Sequence, residues 1–464
     1  MLRLLNKYYT IRNLLFFLIE FVLIFFGLWL GTYLLYSGQI VEDQFHVSIW
    51  SRILLVTIVI QLCMYYNDLY DFQIGSRLLG LTIKIVQAIG FSFLILAVLY
   101  LIFPFLILEQ EIFFIGLFIL LIILVLWRVI YISLCKKEFF NNKIFIIGDG
   151  ELARLIAKKI NSELDSGYTI AGFFSVKEKS PLADDTGVPH YRELDKLCNQ
   201  ALDKGVDQIV VALEEKRNQF PLRSLLDART QGIEVTDGIS FYERLSGRIL
   251  VSEAQPSWLI FSEGFKRNVV INWSKRLIDI FFAGIGLILT APIMGIIALA
   301  IKLDSRGPVF FKQERVGQRE KPYEVIKFRT MCEDAEKDGQ AQWAQSDDER
   351  ITRVGHILRK FRLDELPQFW NVIKGNMSFV GPRPERHVFV EQLKERLPYY
   401  GERHTVKPGI TGWAQVNYGY GASEDDALRK LEYELFYIKN HSILFDIYII
   451  LKTVKTVMVG EGAR

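Results

Sequence analysis

The chain has 464 residues, 51% of them hydrophobic, with a net charge of only +3. That length allows two or three domains, the apolar content points to membrane segments, and the near-neutral charge gives no reason to expect a nucleic-acid partner. Cys63, Cys135, Cys198 and Cys332 are scattered with no Cys-x-x-Cys pair, which argues against a disulfide framework or a zinc site.

Four apolar runs come first: Leu14 to Tyr36, Ile49 to Tyr65, Leu78 to Phe105 and Ile112 to Leu134. Each is near the ~20 residues that cross a bilayer as a helix. No small-residue cleavage pattern follows the first run, so an uncleaved membrane helix is expected rather than a signal peptide. Arg3, Lys7 and Arg12 precede the first run, Arg77 lies between the second and third, and Lys136 and Lys137 follow the fourth. Glu42, Asp43, Glu109 and Glu111 occupy the alternate loops. The positive-inside rule then places both ends of a four-helix domain, residues 1–137, in the cytoplasm.

Residues 141–250 read as a Rossmann-like α/β domain. Lys143 to Gly148 is a short buried strand, and Gly148-Asp-Gly150-Glu-Leu-Ala153 turns into a helix. Further strands are expected at Thr169 to Phe174, Gln208 to Leu213 and Gly232 to Thr236, with a helix at Leu194 to Lys204. The Gly-x-Gly-x-x-Ala turn matches a dinucleotide fingerprint. No clear acid follows about 20 residues on to hold a ribose, so a structural turn is the better expectation.

A connector, residues 251–272, leads to a fifth apolar run, Leu277 to Ile301. Lys275, Arg276 and Asp279 stand at its start, and Lys302, Asp304 and Arg306 follow it. With both flanks basic, neither end prefers the outer face. Pro292 inside it is expected to break the helix, so that residues 277–303 enter the membrane and return. Beyond it, Pro308 to Lys312 and Tyr323 to Arg329 look like strands. Amphipathic helices are expected around 333–345 and 384–396, and the run Ile443 to Val459 is either a surface helix or a sixth crossing, with Lys452 and Lys455 against a crossing.

The stretch from Arg359 to Pro384 concentrates the chemistry. Asp364 and Glu365 sit between a basic run and Pro367, which suits the first turn of a helix. The helix is expected to pass Trp370 and Val372 and stop at Gly375. Carboxylates among cations at a helix start suit phosphate chemistry, one acid attacking phosphorus while its neighbour helps hold a metal. A plain helix cap with solvated charges is the alternative.

Lys327-Phe-Arg-Thr-Met331, Leu363-Asp-Glu-Leu-Pro-Gln368, Met377-Ser-Phe-Val-Gly-Pro-Arg-Pro384 and Val406-Lys-Pro-Gly-Ile-Thr-Gly-Trp-Ala-Gln415 occur in that order. Together they resemble the bacterial monotopic phosphoglycosyl transferases, over residues 273–464, and the whole layout is similar to the large membrane-anchored branch that starts exopolysaccharide or O-antigen units. The resemblance implies a mixed α/β catalytic domain with a re-entrant helix on the cytoplasmic face of the inner membrane. It implies a UDP-sugar donor, glucose or galactose being common, a polyprenyl phosphate acceptor, Mg²⁺ and release of UMP. Asp364 is then the nucleophile, and Glu365 a metal ligand or an aid to the incoming phosphate. Lys327, Arg329 and Arg383 become candidates for the diphosphate, and Arg350, Gln368, Lys407, Thr411 and Gln415 further substrate contacts. Arg350 comes from Asp348-Glu-Arg350-Ile-Thr352, where the family commonly has proline in place of Glu349. Trp413 either meets a ring of the nucleotide or packs in the core. Lys275 and Arg276 either meet the lipid phosphate or anchor to anionic membrane lipid. Where small family members often carry serine before the membrane proline, this chain has Ala291. The α/β domain is expected to regulate or assemble, and the oligomeric state is open, a homodimer being one arrangement.

Two other classes compete. A membrane-tethered NAD-dependent nucleotide-sugar dehydratase needs a Tyr-x-x-x-Lys pair, and Tyr323/Lys327 and Tyr448/Lys452 match it. A non-enzymatic scaffold of polysaccharide assembly needs no intact Asp364.

Overall fold

The structure is a computed structural model and describes residues 2–4, 7–9, 11–36, 48–70, 78–108, 110–136, 141–162, 166–175, 188–213, 220–254, 256, 264–265, 269–332, 350–419, 421 and 423–459. The acidic loop residues Glu42, Asp43 and Glu109, the basic Arg77 and Lys137, and the helix expected at 333–345 lie outside them. Two compact units form, one essentially residues 8–241 and one essentially 242–464.

In the first unit, four helices follow the four apolar runs closely: α1 (Ile11–Tyr36), α2 (Ile49–Tyr66), α3 (Leu78–Ile102) and α4 (Gln110–Lys136). The third ends short of Phe105 because Pro104 opens a separate 3-10 turn. A Cβ on Gly116 would lie 3.2 Å from Leu28, so α1 and α4 pack closely there. Between them the Arg128 guanidinium grips Glu20 through Nε (3.0 Å) and Nη2 (3.1 Å) and also donates to the Leu69 carbonyl. Both side chains are fully buried, and a charge in so apolar a setting is tolerated only when paired.

The α/β part of this unit is a five-stranded, all-parallel sheet. Its members are β1 (Asn142–Ile147), β2 (Tyr168–Phe174), β3 (His190–Tyr191), β4 (Gln208–Val211) and β5 (Glu234–Asp237), in the order β3-β2-β1-β4-β5. Helices α5 (Glu151–Ser162), α6 (Leu197–Lys204) and α7 (Leu222–Thr230) alternate with the strands. Central strand β1 is apolar throughout its last four residues, as burial on both faces requires.

Gly148, at the end of β1, has φ +127°, and a Cβ there would lie 2.3 Å from the Ala212 carbonyl oxygen. The glycine is needed for strand β1 to pass the end of β4. Next to it Asp149 is buried and accepts a hydrogen bond from Ser175 Oγ (2.8 Å).

The second unit begins earlier than the expected boundary near Trp273. Helix α8 (Gly238–Ser246) carries the chain into it. Ile249, Val251 and Ala254 are buried in a core with Trp413, Leu435, Phe436, Phe445 and Ile449. Two buried ion pairs fasten the same segment, Glu243 to Lys439 (2.7 Å) and Arg248 to Glu432 (3.0 Å). Burying these apolar side chains makes 242–250, expected in the α/β domain, and 251–254, expected in the connector, part of this unit.

Helix α9 spans Val269–Asp304, longer than the apolar run at both ends, and Pro292 sits inside it without a break in helical assignment. Proline's fixed φ is itself helical, so what it removes is one hydrogen bond and not the helix. In place of the expected break, α9 continues through Pro292, where the lost hydrogen bond and the ring's crowding of the carbonyl one turn back favour a bend. Both ends are held by one unit. Near the start, Asp279 accepts from Ser378 Oγ and Phe379 N, each at 3.0 Å. At the far end Asp304 accepts from Val354 N (3.1 Å). Around Pro292 the side chains of Ile288, Leu289 and Ile293 are exposed.

The rest of the unit consists of an antiparallel pair, β6 (Phe310–Val316) and β7 (Pro322–Phe328), helices α10 (Arg353–Lys360) and α11 (Gln368–Lys374), the strand β8 (Ser378–Val380), α12 (His387–Arg396), β9 (Gly409–Thr411), the short α13 (Trp413–Asn417), α14 (Glu424–Lys439) and α15 (Ile443–Val459). Strand β6 runs four residues beyond Lys312, which leaves Gly317–Lys321 as the turn into β7. Helix α15 buries Phe445 and Ile449 in the core and ties Lys452 to Asn417 (2.6 Å), leaving Leu444, Leu451 and Val454 exposed on its other side.

Changing Gly148 to alanine puts a side chain into a left-handed backbone and against Ala212. A loss of about 1–3 kcal/mol or more is expected from the backbone alone, read as a lower melting temperature of the full-length protein, and NAD added to wild type is expected not to raise that temperature.

Candidate active site

Asp364 and Glu365 stand in a single 3-10 turn, Leu363–Glu365, just before α11. Arg362 enters the turn with φ +55°, a conformation uncommon for a side chain of this size. Pro367 caps α11, and Gly375 closes it in the left-handed conformation, as the sequence predicts. Asn371, buried in the middle of α11, fixes the helix against β7: its Oδ1 accepts from Ile326 N (3.0 Å), and its Nδ2 donates to the Glu324 carbonyl (2.7 Å). That double bond sets which residue of β7 faces the acid pair.

The residue is Lys327. Its Nζ lies 2.8 Å from Glu365 Oε1, and Arg383 Nη2 reaches the same oxygen at 3.0 Å. Burial by itself works to raise the Glu365 carboxyl, but Lys327 and Arg383 outweigh it and hold the group well below the usual carboxylate range. Asp364 differs. Among the described residues no donor is hydrogen-bonded to its side chain. Burial raises its carboxyl above the ordinary value; Lys327 works against the rise, and the charge of Glu365 adds to it. One acid is clamped and anionic, while its neighbour is destabilised as an anion and has its oxygens uncommitted.

Arg383 is positioned from behind. Arg403, fully enclosed, pairs with Glu434 through Nε (2.8 Å) and Nη2 (2.7 Å), and the same Nη2 donates to the Arg383 carbonyl (2.8 Å). The glycines of two motifs meet here. β8 and β9 run parallel, with Ser378 beside Gly409 and Val380 beside Thr411. A Cβ on Gly381 would lie 2.3 Å from the Lys407 carbonyl oxygen, and one on Gly412 would lie 2.1 Å from that of Gly381. The Lys407–Gln415 loop is therefore packed against the Gly-Pro-Arg-Pro turn backbone to backbone.

Of the residues expected at the site, Asp364, Glu365, Lys327 and Arg383 are brought together. Arg329 is buried and donates to the Ser305 carbonyl (2.8 Å) and Oγ (2.9 Å), just past the end of α9. Gln368 is buried in the first turn of α11. Arg350 lends its carbonyl to Cys332 N (3.0 Å) beside the Met331–Ile351 bridge. Thr411 bonds Thr453 (2.6 Å), and Gln415 donates to the Ile410 carbonyl (3.1 Å), so both hold the loop. Trp413 takes the core alternative: it is buried and donates to the Gly247 carbonyl (2.7 Å). Lys407 is half-buried, and burial, then the nearby Arg276, lower its ammonium. Lys275 and Arg276 are engaged within the fold. Lys275 pairs with Asp446 (2.7 Å), while Arg276 donates to the Val372 and Ile373 carbonyls (2.6 and 2.7 Å) at the C-terminal end of α11.

The bacterial sugar transferase family matches residues 270–460, and a CoA-binding domain family matches residues 66–220. An undecaprenyl-phosphate N-acetylgalactosaminephosphotransferase of Aeromonas hydrophila is 46% identical over 222 residues, 48% of this chain and 52% of that protein. An undecaprenyl-phosphate glucose phosphotransferase of Komagataeibacter xylinus is 33% identical over 69% of this chain and 60% of its own length. A UDP-glucose:undecaprenyl-phosphate glucose-1-phosphate transferase of Caulobacter vibrioides is 39% identical, and 74% of it is covered.

This chain belongs to the bacterial sugar transferase family. The match spans only about half to three-fifths of the first two relatives. With five helices long and apolar enough to cross a membrane among its described residues, it is a membrane member of the sugar transferases. At the Gly148 turn of the α/β sheet, the surroundings disfavour an anion. That glycine is spent on Ala212, and acidic Asp149 and Glu151 stand where phosphates dock at a helix start. The Tyr-x-x-x-Lys pairs of a dehydratase both fall in the other compact unit, with Lys327 on Glu365 and Lys452 on Asn417.

The two acids predict opposite effects on stability. Glu365, with its folded pKa lowered, stabilises fully above its unfolded value of about 4.3, and that contribution disappears as pH falls through the folded value. Asp364, with its folded pKa raised, costs stability at neutral pH, and protonation relieves the cost. Unfolding of full-length protein at pH 7 is expected to shift to lower temperature in Glu365→Gln and to equal or higher temperature in Asp364→Asn.

Proposed function

We propose that this protein transfers a sugar 1-phosphate from a UDP-sugar to a polyprenyl phosphate, undecaprenyl phosphate by analogy with the relatives' names, and releases UMP. The observation that carries this is the contrast between the two acids: a carboxylate with free oxygens beside one held by two cations. A carboxylate nucleophile needs an uncommitted lone pair and a raised basicity, both of which Asp364 has. In the first half-reaction an Asp364 oxygen attacks the sugar-bearing phosphorus. The phosphoanhydride bond to UMP breaks, and UMP leaves with the bridging oxygen and its electron pair. In the second, an oxygen of the lipid phosphate attacks that phosphorus, and the Asp364 carboxylate leaves. One phosphoanhydride replaces another, so no outside energy source is required.

Lys327 and Arg383 face the acids as preorganised cations. A diphosphate arriving there exchanges part of the Glu365 pairing for its own oxygens, which arginine's planar fork and lysine's point charge both suit. Asp364 and Glu365 also fit Mg²⁺, which binds through one or two carboxylates and otherwise through phosphate oxygens and water. Among the described residues no group of three or more His, Cys, Asp or Glu gathers as a metal cage. When bound, the ion neutralises charge on the diphosphate.

The same unit holds both ends of α9, through Asp279 and Asp304. This supports a helix that enters the membrane, bends at Pro292 and comes back, with exposed Ile288, Leu289 and Ile293 around the proline in lipid. The acid pair then faces the cytoplasmic side of the inner membrane, where nucleotide sugars are made, and the step begins an exopolysaccharide or O-antigen unit. The relatives' names carry both glucose and N-acetylgalactosamine, so the sugar is the variable to measure.

Purified full-length protein given Mg²⁺, undecaprenyl phosphate and a panel of UDP-sugars is expected to release UMP with one or two of them. Asp364→Asn is expected to lower that rate by roughly 10³-fold or more. Wild-type rate in the Asn variant, or no UMP from any donor, refutes the proposal.

A further inference from the structure

Two cations meet where the start of α9 packs against the end of α11. A Cβ on Gly375 would lie 3.4 Å from Arg276 Nη2 and 3.8 Å from Lys407 Nζ, so both charges lean over the glycine that closes α11. That glycine has φ +90° and no side chain to fill the space beside them. Arg276 gives one N–H to the Val372 carbonyl and one to that of Ile373. Carbonyl bonds do not cancel its charge, and the rest of its fork is uncommitted among the described residues. Lys407 Nζ has no hydrogen bond or ion pair among them. Burial and the neighbouring Arg276 work against its charge. Asp279 offsets part of this, but it is buried and already accepts from Ser378 Oγ and Phe379 N. Two partly buried like charges, side by side and without a carboxylate of their own, call for an anion.

The place decides which anion. Arg276 stands at the head of the apolar run of α9, with Leu277 beside it and Ile280 one turn on, both exposed, and exposed Trp273 one turn before. A basic residue at the edge of an apolar stretch, with a tryptophan near it, marks the depth of lipid head groups. An acyl chain lying on Leu277 and Ile280 puts its phosphate beside Arg276. The reacting phosphates are elsewhere. Helix α11 has seven residues and the acid pair precedes it, so about 10 Å of helix separates Gly375 from Asp364. Attack on phosphorus needs the two atoms about 3–3.5 Å apart, so a phosphate over Gly375 is not the one that reacts.

We propose that Lys407 and Arg276 seat the phosphate of an anionic glycerophospholipid of the surrounding bilayer, a single molecule held beside α9 and distinct from the acceptor lipid. The inference rests on α9 lying in the membrane and not on the reaction proposed above. It moves Lys407 from the donor to the bilayer.

The test places full-length protein in nanodiscs of equal phosphatidylglycerol and phosphatidylcholine and counts, by native mass spectrometry, the lipids that stay bound on release. Wild type is expected to keep a single phosphatidylglycerol, favoured over phosphatidylcholine by about fivefold or more, the weight of one basic residue near an anionic surface. Lys407→Met, which keeps an apolar stem, is expected to lose most of that preference, and Lys407→Arg to retain it. Asn376→Asp, a negative charge on the exposed residue next to Gly375, is expected to weaken it without touching either cation. The proposal is overturned if wild type shows no preference, or if Lys407→Met or Asn376→Asp keeps it in full. It is also overturned if one equivalent of undecaprenyl phosphate displaces the phosphatidylglycerol from wild type and itself fails to bind Lys407→Met, which assigns the seat to the acceptor. Failure of the transferase reaction has a different signature: no UDP-sugar yields UMP, while these lipid ratios stand.

Discussion

A single oxygen, Glu365 Oε1, is where three chain segments converge. Lys327 arrives from β7, Arg383 from the Gly-Pro-Arg-Pro turn, and the carboxylate itself from the turn before α11. Lys327 and Arg383 balance the two carboxylates, and the further positive charges of Arg359 and Arg362 tip the surroundings of the pair positive, which makes an anionic substrate welcome where an acid must also act as nucleophile. The same arrangement explains why neighbouring acids behave differently. The cations are spent on Glu365, so Asp364 is left with burial and a like charge next door.

That convergence needs a stiff frame, and the frame is made of polar bonds in the interior. Asn371 takes the place of a third strand along β7. Arg403 and Glu434 hold the carbonyl of Arg383. Asp279 receives the start of β8, and Arg276 caps the last carbonyls of α11, so the apolar helix α9 is bolted to the parts that carry the chemistry. Breaking one partner of such a buried pair leaves an uncompensated charge, which is why these contacts specify geometry more strongly than they add stability. The membrane helix and the acid pair are in this sense one construction.

In the α/β sheet the Gly148 turn has a packing role of its own. The Gly148-x-Gly150-x-x-Ala153 turn has the glycine spacing of a nucleotide turn but lacks the acid about 20 residues on. Its conformation and the approach of Ala212 require a glycine there, and Asp149 bonds Ser175. The segment that follows, from Tyr242 to Ala254, is built into the second unit by Trp413, Lys439 and Glu432.

Local pattern was enough for much of this protein. Unbroken apolar length marked the membrane helices, alternating apolar runs marked the parallel strands, and proline and glycine marked both ends of α11, because each of these signals depends only on a residue and its near neighbours. The acid pair and two of its cations were legible for a related reason: Asp364, Glu365 and Arg383 lie within one stretch, and Lys327 stands in a motif of its own. What lay beyond reach were the contacts between residues far apart in the chain. Asn371 on β7, Arg403 behind Arg383, Arg276 on α11 and Trp413 on Gly247 each look like ordinary polar or aromatic residues until folding sets them against a partner. Tertiary structure also decided which of two equal-looking acids would be pinned and which left free, since that depends on where Lys327 and Arg383 arrive in space, a distance that no spacing along the chain encodes.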